Sequence, residues 1–292
     1  MALEQIVAAH YRRSSATTRQ VVAAVLAIWR ATGPSGFRDE LRRVAGIVAA
    51  GQLVRAIQAA AYLAALTDEF GMAAPQATPQ PRAIAGVSAD GRALEAVLGF
   101  AAVRAWTMLD AGADYATANT SGAASLTRIV ANETTQAGIT AESVGMVGQP
   151  EMVGYVRLLN TPSCGRCAIL AGKFFKWNDG FDRHPGCDCV HVPAADQSDA
   201  MSGKPPWSAN LVNDPKAYFD SLSTAEQNRY FGKAEATAIR GGADMNKTVN
   251  LTTRKKRRSS GLSVPRSIDR LIAGKSRDEA IDVLVRTGYL AA

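Results

Sequence analysis

All four cysteines of this chain, Cys164, Cys167, Cys187 and Cys189, fall in one short window, and His184, one of only three histidines, sits among them. A C-x-x-C pair around Gly165 has the spacing of a metal-binding turn, in which both sulfurs face one ion. Cys187 and Cys189 alternate as they would along a strand, with side chains on the same side. His184 lies three residues before Cys187, so it offers an imidazole in place of one thiolate. Four ligands drawn from Cys164, Cys167, His184, Cys187 and Cys189 would close a tetrahedral Zn²⁺ site of the structural kind, with no position left for water. A metal-free cluster of thiols is the alternative.

Catalytic chemistry is less well served. His184 is followed by Pro185 and Gly186, without the glutamate that a zinc deaminase places beside its histidine ligand. No H-E-x-x-H motif and no Gly-rich phosphate loop occurs. A Ser or Cys nucleophile working with His184 or His191 stays open, because Ser163 and the thiols are near them in sequence.

These residues need a frame, and most of the chain that supplies it has helical periodicity. Leu3 to His10, Gln20 to Trp29 and Arg38 to Phe70 carry apolar residues at three- and four-residue spacing, with a break across Thr32 to Gly36. Such stripes describe bundle core. Residues 73–91, with Pro75, Pro79, Pro81, Gly86 and Gly91, form a connector, and helical periodicity resumes over Arg92 to Met108 and Tyr115 to Ala137. From about Met152 the texture changes. Met152 to Leu159, Lys173 to Trp177 and Cys189 to Val192 are the expected strands of a small β-containing module. Helices return after Pro205 and Pro206, and two capping boxes, Ser223 with Glu226 and Ser276 with Glu279, mark two helix starts.

The expected organisation is a helical region at 1–72, the connector at 73–91, a helical region at 92–145 and an α+β module with the Cys/His cluster at 146–200. A helical segment at 201–250, a basic linker at 251–265 and a helical tail at 266–292 follow. The fold class is therefore mainly α with a small central α+β module. A composition of 47% hydrophobic and 20% charged residues is that of an ordinary folded protein. The opening residues lack a basic n-region, and the apolar run Val21 to Trp29 is about half the length a membrane helix needs. An intracellular setting with reduced thiols and no membrane partner is expected, which favours metal over structural disulfides.

The net charge of +7 is local. Arg254, Lys255, Lys256, Arg257 and Arg258 supply five of those charges in one run. Five adjacent cations either solvate a linker or contact phosphate, and double-stranded DNA is the natural partner in the second case.

The segment Thr161 to Cys167, the Gly172, Lys173, Phe174, Phe175 strand and the closing His184, Pro185, Cys187, Cys189 group together resemble the signature of the phage Mu F-like minor head proteins of tailed bacteriophages. The whole chain is similar to the version found in phages of actinobacteria, in which a helical N-terminal part precedes the module and a segment like Tyr218 to Asp244 follows it. The specific likeness spans about forty residues. It implies a structural minor capsid protein acting in head morphogenesis near the portal vertex, with the portal protein or the major capsid protein as partner. It also implies residence in the virion, in the capsid interior or at the portal vertex, with the host cytoplasm as the place of assembly. Some relatives carry the label of capsid maturation protease, which makes that enzyme the alternative to a non-enzymatic role. A zinc-stabilised nucleic-acid-binding protein is the third reading.

Overall fold

The computed structural model describes residues 3–179, 189–195, 211–212, 214–249 and 267–292, and they fall into two compact units. His184, Cys187 and the basic run Arg254 to Arg258 lie outside the described residues. The chain is mainly helical with two small antiparallel sheets among the described residues, as the periodicity predicts.

The first unit takes residues 3–150 and 267–292. Its frame is three long helices, α1 (Leu3–Gly36), α2 (Leu41–Glu69) and α6 (Tyr115–Gly148), packed on one another. Between α2 and α6 come α3 (Pro81–Ile84), α4 (Leu94–Leu98) and α5 (Phe100–Asp110), the last lying against α6. Val21, Val25, Trp29, Val44, Val48, Leu98, Leu126 and Val130 make the apolar core at one end. Trp29 donates from Nε1 to Asn119 Oδ1 at 2.8 Å, so the largest buried ring leaves no orphan donor. Gly122 makes room for it: a Cβ there would come within 2.5 Å of the Trp29 ring.

The sequence break at Thr32 to Gly36 is a kink rather than an end. Gly33 adopts φ 62° and Pro34 follows it, after which the helix resumes as far as Gly36. A left-handed glycine and a residue without an N–H are sufficient cause for the bend. Helix α1 also runs unbroken through Tyr11 to Arg19, which has no apolar stripe. The inward positions there are Ser14 and Thr17, which with His10 before them are buried in the same helical register as Val21.

Those polar residues face partners on α2 and α6. His10 Nε2 meets Glu142 Oε1 at 2.9 Å, and the His10 ring stacks on Tyr62 at 4.0 Å. Arg55 donates to Ser14 Oγ and to Gln58 Oε1, and Gln58 Nε2 donates to Thr17 Oγ1 at 3.0 Å. His10, Arg55 and Glu142 are at most 6% exposed. Gly138 lets the Arg55 guanidinium lie on the α6 backbone, since a Cβ there would sit 2.5 Å from Nη2. Burial, with the Glu142 charge beside it, pushes the Tyr62 phenol well above its ordinary range. Helix α2 is long and apolar enough to span a membrane, but it carries buried Arg55 and Gln52 and packs between α1 and α6.

The C-terminal segment returns to this unit. Helices α11 (Ser267–Ile272) and α12 (Arg277–Arg286) lead into β6 (Leu290–Ala291), which pairs antiparallel with β1 (Thr78–Pro79). Ser276 and Glu279 form the expected capping box at the start of α12. Arg277 Nη1 donates to the Met146 and Gln149 carbonyls at 3.2 and 2.7 Å, placing a cation where the α6 helix leaves its last acceptors unsatisfied.

The buried His10–Glu142 pair gives a direct stability test. His10→Leu leaves the Glu142 carboxylate without its imidazole and should cost about 3–5 kcal/mol, the usual result of removing one member of a buried pair. Replacing both residues by leucine should recover most of that loss. Urea titrations of the three proteins measure it, and a double variant no more stable than His10→Leu would refute the pairing.

Candidate functional site

The cysteine region belongs to the second unit, residues 151–179 and 189–249. Its centre is β2 (Gly154–Asn160), buried along nearly its whole length. One edge of β2 pairs with β4 (Cys189–Ala194) from Gly154↔Ala194 to Leu159↔Cys189. The other edge takes β3 (Phe174–Lys176) at its beginning and β5 (Leu211–Val212) at its end. Gly154 is required where β3 crosses, because a Cβ would run into the Phe174 ring and the Phe175 carbonyl.

Strand alternation separates two faces. Val156 and Leu158 share one with Val190 and Val192, an ordinary apolar surface. Tyr155, Arg157 and Leu159 share the other with Phe175, His191 and Cys189. Tyr155 stacks on Phe175 with centroids 5.2 Å apart and takes the His191 ring edge-on at 4.2 Å. The Arg157 guanidinium lies 6.0 Å from the Phe175 ring centre. Tyr155, Arg157 and His191 are each at most 2% exposed, so a cation and an imidazole are built into the interior of this sheet.

Beyond Asn160 the chain turns through a cis Thr161–Pro162 bond into Ser163 and the short helix α7 (Gly165–Ala168), with Cys164 at its N-cap position. Helices α8 (Pro215–Ser221) and α9 (Thr224–Phe231) hold that turn, followed by α10 (Lys233–Arg240). The Ser163 N–H donates to Tyr218 Oη at 2.6 Å, and the Tyr218 hydroxyl donates to the Ser163 carbonyl at 2.8 Å. Phe231 covers Gly165 so closely that a Cβ would be 2.7 Å from its ring. Phe219 meets Phe231 edge-on at 4.9 Å, and the Ser223–Glu226 capping box fixes the start of α9 between them. Burial pushes the Tyr218 phenol above its ordinary pKa, outweighing the opposing pull of the Ser163 N–H it accepts from, with the neighbouring Tyr230, Cys164 and Glu226 adding to the rise. It therefore stays neutral and keeps its proton for Ser163.

Of the proposed metal ligands, Cys167 and Cys189 are buried and Cys164 is half-buried. The antiparallel register puts them at one end of the sheet: Cys189 opens β4 opposite Leu159, and Cys164 and Cys167 follow the end of β2. Among the described residues no three His, Cys, Asp or Glu side chains group to hold a metal ion. A zinc site of the expected composition thus needs His184 or Cys187. Ser163 and His191, the hydrolytic candidates, occupy different places. His191 is mid-strand opposite Arg157, while the backbone of Ser163 lies past the end of β2 and is engaged by Tyr218. The clamp by Tyr218 and Phe231 and the Arg157–His191 layer escape sequence reading. Their only signals are a charged residue inside an apolar strand and a pair of aromatics next to a helix cap.

The Tyr218 clamp has a pH signature. A phenol whose folded pKa is raised contributes stability that is full below the unfolded value near 10 and lost as pH rises through the folded value. Tyr218→Phe removes both hydrogen bonds to Ser163 and should cost about 1–3 kcal/mol at neutral pH. The gap between wild type and variant should narrow above about pH 10. Denaturant midpoints at pH 7 and at pH 10.5 measure both effects, and a constant gap would contradict the neutral-phenol clamp.

Comparison with other proteins adds one identification. No curated protein and no solved structure matches the chain. The profile of a viral gene protein family, described as VG15 protein, matches residues 1–211 of the 292, taking in the three-helix frame, the cysteine turn and the sheet. On that extent of match the chain is a phage protein that belongs to the VG15 family.

Proposed function

We propose that this chain is a structural minor capsid protein of a tailed bacteriophage, of the Mu F-like kind, acting in head morphogenesis near the portal vertex. The observation that carries this reading is the use made of the Thr161 to Cys167 signature. Its backbone is gripped by Tyr218, its glycine is covered by Phe231, and two of its neighbouring thiols are buried. That is how a joint is built, with side chains serving the fold. Membership of a phage family supports the setting, in the virion or in the host during assembly. We assign no catalytic residue. The capsid maturation protease remains the alternative, and it predicts specific cleavage of the major capsid protein by purified chain, abolished by one Ser or Cys substitution.

A head protein needs a surface for its neighbours. Helix α5 buries Ala101, Ala102 and Ala105 and turns Phe100, Val103 and Trp106 outward, 49, 57 and 45% exposed. Large apolar side chains grouped at helical spacing on the outside favour a protein partner, here the portal or the major capsid protein. Trp106→Ala should leave the fold intact and reduce incorporation into particles. Loss of a central aromatic anchor costs about 2–4 kcal/mol in such interfaces, roughly thirtyfold or more in affinity. Quantitative mass spectrometry of purified heads assembled with wild type or variant reads this, and equal incorporation would remove α5 from the interface.

Zinc and DNA belong to the same proposal. Cys164, Cys167, Cys187 and Cys189, with His184 as substitute, would hold one structural Zn²⁺, and the metal would contribute folding free energy to the module. Elemental analysis of chain purified without chelator should return one zinc per chain. Clearly less, with the fold intact, would mean that the thiols serve without metal. Arg254 to Arg258 would meet packaged DNA through phosphates alone, giving weak, sequence-independent binding with a log–log salt slope no steeper than about −4.5. Replacing the five by serine should flatten that slope, and identical titrations would assign the run to a solvated linker or a protein partner.

A further inference from the structure

A small cavity of about 20 Å³ lies in the first unit between α2, α6 and the loop before α4, and Ile268 and Tyr289 of the C-terminal segment also line it. Its polar lining is Gln52, Ser88, Glu133, Gln136 and Thr140. Two of these are already committed. Gln52 donates to the Val87 carbonyl at 2.9 Å and accepts from the Gly86 N–H at 2.9 Å. Ser88 Oγ is shared between Asp90 and the Arg92 carbonyl. Gln136 differs. It is 5% exposed, and its Nε2 is buried with no hydrogen-bond partner. A buried amide donor left unsatisfied costs about 1–3 kcal/mol. The Glu133 carboxylate, buried and holding the Ala89 N–H at 2.8 Å, retains lone pairs for a further donor.

We propose that this cavity is a binding site for a single ordered water, which accepts from Gln136 Nε2 and donates to the Glu133 carboxylate. Size admits it first: about 20 Å³ is room enough for a water. Chemistry selects it next. An ammonium or metal cation has no lone pair to offer Gln136, and an anion would be repelled by Glu133. Water alone presents both an acceptor and a donor in that volume. Bridging these two groups, one turn apart on α6, it would satisfy the Gln136 donor and extend the polar contact through which Glu133 already holds the Ala89 N–H. Waters that satisfy buried polar groups are part of the structure and costly to remove.

Water–protein cross-relaxation in the NMR spectrum of the intact, deuterated chain tests this. The Gln136 side-chain amide protons should show cross-peaks of the sign given by a long-lived water, while the Gln52 amide, bonded to backbone, should be weaker. Gln136→Leu has similar volume and no donor. The long-lived water signal at the neighbouring Thr140 should be lost in it. Absence of any long-lived water at Gln136 in the wild type would overturn the proposal, whether through a direct Gln136–Glu133 hydrogen bond or a collapsed cavity. Persistence of the Thr140 signal in Gln136→Leu would overturn it too, by showing that Gln136 does not hold the water. If that variant fails to fold, the wild-type spectrum decides alone.

Discussion

Strand β2 is paired along both of its edges, and the cysteine region depends on that constraint. With β4 on one side and β3 and β5 on the other, its backbone is committed, and its side chains are divided between two faces in a register that cannot slip without turning them all over. The register brings Cys189 level with the end of β2, where the turn to Cys164 and Cys167 begins. The same register stacks Tyr155 on Phe175, sets His191 edge-on to it and lays Arg157 beside Phe175. Helices α8 and α9 then close over the turn through Tyr218 and Phe231. The unit therefore has two polar features inside it, the clamp at Ser163 and the Arg157–His191 layer, and both are held by rings. Rings fill such an interior at low entropic cost and leave little room for water.

The first unit solves a different problem, that of keeping three long alanine-rich helices in one register. Small apolar residues pack closely in many alignments. Buried His10, Ser14, Arg55 and Glu142, with half-buried Gln58, meet their partners in one alignment only, because a slip by one turn would leave charges facing methyl groups. Buried polar groups of this kind add specificity more than stability. The glycines of α6 serve the same end. Gly122 and Gly138 each leave the space that Trp29 and Arg55 occupy, at a cost of about 1 kcal/mol each in helix propensity.

Much of this was legible in the sequence, and what was not has physical reasons. Apolar spacing gave α2 and the first part of α6, strand propensity gave β2, β3 and β4, and the Ser223 and Ser276 capping boxes opened the helices they mark. Residues 11–19 were opaque because polar side chains occupy the inward positions, and polarity reads as surface until its partners on other helices are known. The end of α6 was opaque because Gly138, Gly145 and Gly148 read as breakers, whereas each is a point of close approach. The β1–β6 pairing joins two-residue strands, one containing Pro79, too short for any periodic signal. At the site, the cysteine spacing was plain in the sequence, but the residues that hold the turn lie more than fifty positions away. Only the folded chain brings Tyr218 to Ser163.

The proposed role of this phage protein, a structural part of the head whose cysteine turn is a joint, has a direct test. An asymmetric cryo-electron microscopy reconstruction of heads assembled with the wild-type chain tests it most directly. Density for the three-helix frame and the sheet is expected beside the portal vertex, with the intact chain retained in the particle. A chain absent from assembled heads, together with major capsid protein shortened at a defined bond, would contradict it and favour the protease.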